Sequence, residues 1–233
     1  ACGGCFGSKI DISFQPYVAL AAWNLDRPAR ICYSRGESMR ASTKRHPSDI
    51  HLRVGCDDKG LISGFVFDGI FNTGAYASWG PTVANRVPIH ACGPYKTDHY
   101  RATSVAVHTN APPAGAFRGF GVPQSAIAQE CAYDLLADEI GMDRLAFRRI
   151  NALKNGIPTV TGQVFKNGVG IDDCFAALEQ PWKNALLKAA DFNDEAIANG
   201  SPWRSGVGIA SCWYGCGNTS LPNPSTMRMG ITP

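Results

Sequence analysis

The spacing of apolar positions divides the chain into stretches of different period. Around Tyr17 to Leu25 apolar residues crowd into a helix-like segment that Asp26-Arg27-Pro28 stops, and Ala29 to Ser34 then reads as a short buried strand. Two extended runs follow, on either side of Asp57-Asp58-Lys59-Gly60, whose Asp and Gly suit a tight hairpin turn. In the second run, Leu61 to Asn72, glycine alternates with bulky residues, which predicts a twist or bulge. Pro81 to His90 is expected to form a short helix and Tyr100 to Thr109 another strand.

From Pro123 onward the period becomes helical. Ile127, Cys131 and Leu135, with Ala128, Ala132 and Leu136, recur every four residues and predict one apolar, inward face. Pro123 fits a first turn and Gly141 a left-handed closing residue. Asp143 can cap a second helix, with Leu145, Ala146 and Ile150 facing inward. A third helix is expected near Ile171 to Asp191, and Gly206 to Gly215, "GVGIASCWYG", reads as a new strand. Strands and helices mix without regular alternation, so the expected class is α+β, mixed sheets with packed helices.

Composition narrows the function classes. The 45% apolar and 18% charged residues are those of a globular chain, and 233 residues suffice for a genuine core. The net charge of +3 is small and dispersed, with no basic cluster interleaved with aromatics, which argues against nucleic acid. No apolar run approaches the roughly 20 residues of a membrane span. The opening "ACGGCFGSK" lacks a basic-then-apolar lead, so no signal peptide is expected, and an odd number of scattered cysteines points to a reducing, cytoplasmic location. Without an initiator Met, and ending on "MRMGITP", the sequence is expected to be a piece of something longer. Nine cysteines include two close pairs, Cys2/Cys5 and Cys212/Cys216. Such pairs can hold zinc or exchange thiols, but no second ligand pair accompanies either, and buried or incidental thiols are the simpler account.

Two glycine-aromatic loops carry the chemical signal: "GGCFGSK" from Gly3 to Lys9, and "GAFRGFG" from Gly115 to Gly121. Exposed backbone amides beside an aromatic ring suit a flat anionic ligand; tight turns around buried Phe are the plainer alternative for either loop alone. Neither is a dinucleotide fingerprint or a P-loop. Together, however, Gly3-Gly4-Cys5-Phe6-Gly7-Ser8-Lys9 and Ala116-Phe117-Arg118-Gly119-Phe120-Gly121-Val122-Pro123-Gln124 resemble the paired loops of the molybdenum hydroxylase family. That family comprises xanthine dehydrogenases, aldehyde oxidoreductases and nicotinate dehydrogenase. The resemblance extends through "RPARICYSRGESMRASTKRHP", "FNTGAYASWG", "DLLADEIGMDRLAFRRINALKNG" and "GVGIASCWYGCGNTS", in order along nearly the whole chain.

The resemblance implies the central part of a molybdopterin-binding large subunit, with residues 1–200 in a first cofactor-binding domain and 201–233 opening a second. It implies a molybdenum–molybdopterin cofactor, in some members the cytosine dinucleotide form, with electrons leaving to 2Fe-2S and FAD groups on partner domains or subunits. Phe6, Gly7, Ala116 and Arg118 would contact the cofactor, and Arg86 and Phe120 the substrate; an ordinary loop role for Arg86 stays open. The implied reaction is hydroxylation of an aromatic N-heterocycle such as a purine or nicotinate, with oxygen from water. Aldehyde oxidation on the same cofactor and a non-catalytic assembly module are the alternatives, with phosphate binding by the same amides a third. Cys5 and Ser8 replace glycines common in the family loop, and Ile10 stands where the animal xanthine enzymes carry a substrate-binding glutamate. The family's catalytic glutamate has no counterpart here, so no catalytic base and no metal ligand is expected in this chain, and the remainder of the large subunit would supply the Glu.

Overall fold

The structure is a computed structural model that describes residues 4–215 and 226–230. Its elements run α1 (Gln15–Leu25), α2 (Arg35–Ala41), β1 (Ser48–Cys56), β2 (Ile62–Gly74), α3 (Gly80–His90), β3 (Tyr100–His108), α4 (Val122–Glu139), α5 (Arg144–Asn151) and α6 (Ile171–Ala198). β1 and β2 form the expected antiparallel hairpin, and β3 lies parallel to β2, with α3 making the crossover that parallel pairing requires. The class is α+β with one mixed sheet, in the order β1-β2-β3.

β2 is the centre of the core. Phe65, Phe67, Phe71 and Thr73 are buried at alternate positions, and Gly69 leaves space filled by the rings of Phe67 and Phe71. Val87 of α3, Tyr133 of α4, Phe147 of α5 and Phe175 of α6 close over that face. The hairpin turn is anchored from outside: Asn151 accepts from the Ile62 amide at 2.9 Å and donates to the Gly60 carbonyl at 2.8 Å. The register shift at Asn72/Gly74 is the bulge that the glycine pattern of this run predicts.

Four expectations are corrected. Ala29 to Ser34 is irregular rather than a buried strand, because Ser34 and Glu37 form a capping box that starts α2 immediately afterwards. On α4 the expected apolar face points out: Ile127 is 69% and Leu135 72% exposed, and Cys131 is exposed too. The buried stripe is Ser125, Gln129, Tyr133 and Ala137, with Glu130 beside it. Polar residues hold that face because they find partners there. On α5 Leu145 is buried as expected, but Phe147 and Arg148 take the places expected of Ala146 and Ile150. Residues 206–215 form no strand among the described residues, although alternate positions from Val207 to Gly215 are half-buried.

Two features outside the sheet stand apart. α1 carries Tyr17, Leu20, Trp23 and Leu25 and buries none of its residues. Inside, the guanidinium of Arg148 is fully buried: it donates to Glu130 Oε2 at 2.7 Å and lies 2.8 Å from Asp134 Oδ1. Tyr95 and Gln129 donate to the other Glu130 oxygen at 3.0 and 2.7 Å.

Breaking this ion pair from one side strands a buried carboxylate. Arg148→Met is expected to destabilise the fold by about 3–5 kcal/mol. Replacing both partners, Arg148→Met with Glu130→Leu, should recover much of that loss; denaturant unfolding of the two variants beside the wild type checks it.

A second prediction concerns His46, which is only 3% exposed; burial foremost and Arg45 secondarily push its pKa down to about 4. In the unfolded chain the ring titrates near its ordinary value, so only the unfolded state gains a proton as pH falls below about 6.5. Stability attributable to His46 is intact above that pH and is lost progressively down to about 4, on the order of 3 kcal/mol in all. His46→Asn should therefore flatten the fall of unfolding free energy across this interval; an unchanged slope would refute the assignment.

Candidate functional site

The two glycine-aromatic loops meet. Residues 4–9 form a turn in which Phe6 adopts φ +52° and Gly7 φ +87°. The Arg118 N–H donates to the Phe6 carbonyl at 2.9 Å. A Cβ on Gly7 would lie 2.8 Å from the Ala116 carbonyl carbon and oxygen, so only glycine lets the backbones come this close.

The second loop turns tightly onto α4. Gly119, Phe120 and Gly121 take successive φ values of +87°, +50° and +96°. Two short main-chain bonds close it, Phe120 N–H to Phe117 O at 2.7 Å and Val122 N–H to Gly119 O at 3.0 Å. Gly121 sits against Val83 and Val87 of α3, which leaves no room for a side chain. Phe120 is thereby held in a conformation costly for a residue with a Cβ, and its ring stands edge-on to Trp79 with centroids 6.3 Å apart.

Two further strips of chain support these loops. Residues 43–46 run beside 113–115, with Gly115 N–H donating to Lys44 O at 3.1 Å and Lys44 N–H to Pro113 O at 3.3 Å. The turn from β2 into α3 holds the chain just after the first loop, since Ser78 Oγ donates to Asp11 Oδ2 at 2.6 Å.

Charge at the site is positive. The Arg118 guanidinium is exposed and lies 4.5 Å above the Phe6 ring. Arg45 lies 5.0 Å from the Phe117 ring centre, and burial followed by repulsion from Arg118 lowers its pKa. Neither guanidinium has a carboxylate partner among the described residues. Cations without a carboxylate and aromatic rings around backbone that admits only glycine form a cradle suited to a flat anionic group, which fits a dithiolene-bearing pyranopterin.

The structure thus brings Phe6, Gly7, Ala116, Arg118 and Phe120 together. Arg86 is placed differently. It is buried on α3, its guanidinium 4.3 Å from the Tyr214 ring and donating to the Gly215 carbonyl. His90, one turn on, accepts from the Gly215 amide at 3.0 Å and stacks on Tyr214. Sequence reading missed Arg45 and Trp79. Both lie in segments that carry the family resemblance, yet nothing in their spacing says that they reach the second loop. Of the close cysteine pairs, Cys2 and Cys216 lie outside the described residues; no group of three His, Cys, Asp or Glu that could hold a metal occurs among the described ones. No helix there is long and apolar enough to cross a membrane.

Comparison with known proteins gives this cradle a context. The molybdopterin cofactor-binding domain family matches residues 1–152. The nicotinate dehydrogenase large molybdopterin subunit of Eubacterium barkeri is 41% identical over 169 residues, 72% of this chain and 40% of that protein. A probable xanthine dehydrogenase component from Bacillus subtilis is 41% identical over 199 residues, 85% of this chain and 26% of that one. Among solved structures, the aldehyde oxidoreductase of Desulfovibrio gigas superposes with a TM-score of 0.75 at 30% identity, covering 81% of this chain and 21% of its own. The chain therefore spans two fifths or less of the length of these relatives. With both loops inside the matched region and meeting as one cradle, the chain belongs to the molybdopterin cofactor-binding domain family.

Proposed function

We propose that this chain forms one wall of the cofactor site of a molybdenum hydroxylase acting on an aromatic N-heterocycle. The observation that carries the reading is the junction of the two loops, where Arg118 N–H bonds to the Phe6 carbonyl and Gly7 packs backbone-on-backbone against Ala116. A bound molybdenum–molybdopterin would supply two-electron oxidation of an activated C–H bond, with electrons passing on to iron–sulfur and flavin partners.

In this reading the chain's own residues bind and orient. Gly7 and Ala116 would bring main chain close to the cofactor, Phe6 would pack against it, and Arg118 would supply a cation to its electron-rich part. Phe120, steadied by Trp79, presents a ring on which a flat substrate stacks. Arg86 orients the polar edge of the substrate, and the segment at Tyr214 that covers it must shift for it to do so. The proton-accepting carboxylate comes from the remainder of the large subunit, since the cradle residues include none. A small aldehyde is the second substrate class, because a relative named as an aldehyde oxidoreductase shares the same region.

The native complex should hold about one molybdenum per large subunit and place oxygen from labelled water in its product. An absence of molybdenum would leave the assembly-module alternative; label from dioxygen would remove the mechanism.

Within the cradle the roles separate. Gly7→Ala should abolish most cofactor occupancy, because the φ of +87° and the 2.8 Å approach to Ala116 both exclude a side chain. Arg118→Ala should lower occupancy as well. Phe120→Ala should keep its metal and lose at least roughly tenfold in kcat/KM on a heteroaromatic substrate, less on a small aliphatic aldehyde. Metal analysis beside steady-state kinetics separates the three; metal loss in Phe120→Ala with retention in Arg118→Ala would reverse the assignment.

A further inference from the structure

We infer that Arg45 is the positioning residue for Arg118, holding the cofactor-facing loop in register through a fork that lysine cannot replace. The inference rests on the proposed cofactor site, and its evidence is the wiring of a single guanidinium.

The Arg118 peptide is tied on both sides. Its N–H donates to Phe6 on the first loop, and its carbonyl accepts from Arg45 Nη2 at 2.5 Å. The other arm of the same fork, Nη1, donates to Gln124 Oε1 at 3.2 Å, in the first turn of α4. Gln124 in turn donates from Nε2 to the His46 carbonyl at 3.2 Å, so its amide is used at both ends. Arg45 therefore joins the middle of the loop to the helix that follows, across a turn of three successive left-handed residues. The loop's own bonds join Phe120 to Phe117 and Val122 to Gly119; neither of them engages the Arg118 carbonyl. Without Arg45 the peptide between Arg118 and Gly119 loses the donor that fixes its plane.

The electrostatics agree with this geometry. Arg45 is half-buried next to a like charge, and its pKa is lowered first by burial and then by Arg118. Two cations held close without a carboxylate between them are tolerated where an anion completes the site. The two divergent donors of Arg45, aimed at the Arg118 carbonyl and at Gln124 while its guanidinium lies 5.0 Å from the Phe117 ring centre, need a planar fork that an ammonium does not offer.

The test uses the native complex carrying Arg45→Met, Arg45→Lys or Arg118→Ala. The readouts are molybdenum content, the paramagnetic resonance signal of the partly reduced metal, and the unfolding midpoint of cofactor-free enzyme. Arg45→Met should lower molybdenum content on the order of tenfold, as expected for the loss of charge-assisted hydrogen bonds. Arg45→Lys should retain part of the metal with a shifted resonance signal, and both should unfold within a few degrees of wild type when cofactor-free. Wild-type metal content and signal in Arg45→Met would overturn the inference, as would full recovery by Arg45→Lys. Loss of metal matched by a large fall in the cofactor-free midpoint would also overturn it, reducing Arg45 to a stabilising residue. If the wild-type complex holds no molybdenum, the proposed cofactor site itself fails, a result distinguishable from all of these.

Discussion

Everything at the site depends on one approach of backbone to backbone, Gly7 against Ala116, with the Arg118 amide reaching the Phe6 carbonyl alongside it. The two loops are far apart in sequence, and no side chain lies between them at this point. A contact of this kind has no slack, since any Cβ must displace main chain rather than a flexible side chain. It also leaves the Phe6 ring and Arg118 exposed, where a ligand can use them.

Such a junction holds only if both sides are rigid. The first loop is tied by Thr43, whose hydroxyl donates to the Ser8 carbonyl, and the chain just after it by Ser78 to Asp11. The second leads straight into α4, which is anchored in mid-helix by the buried group of Glu130, Arg148 and Tyr95. Strain at Gly119, Phe120 and Gly121 is therefore borne by a helix that cannot shift to relieve it. Ion pair, helix and loop form one line from the core to the site.

The elements best read from sequence were those specified locally. The hairpin showed itself in Asp57 and Gly60 between extended runs, and the α5 cap in Asp143, whose side chain accepts from the Ala146 amide. The face of α4 was misread because periodicity counts Ile127 and Leu135 as core, whereas Gln129 and Glu130 are inside for the hydrogen bonds they make there. Buried polar groups follow their partners, and the partners are remote in sequence. The site shows the same division. Glycine spacing and the family resemblance pointed to Phe6, Gly7, Arg118 and Phe120, while Arg45 depends on contacts to residues remote in sequence, Gln124 and the Arg118 carbonyl.

Phe6 and Phe120 share a further property: each is an aromatic residue in left-handed backbone, at φ +52° and +50°, next to a glycine that is also left-handed. Asparagine or glycine would rest more easily at either position. A search for thermostable variants should therefore converge on these two sites early, and each gain there would remove a ring from the cradle. Stability and function pull in opposite directions at the same two residues, so a hardened version of this domain has to draw its extra stability from elsewhere in the fold.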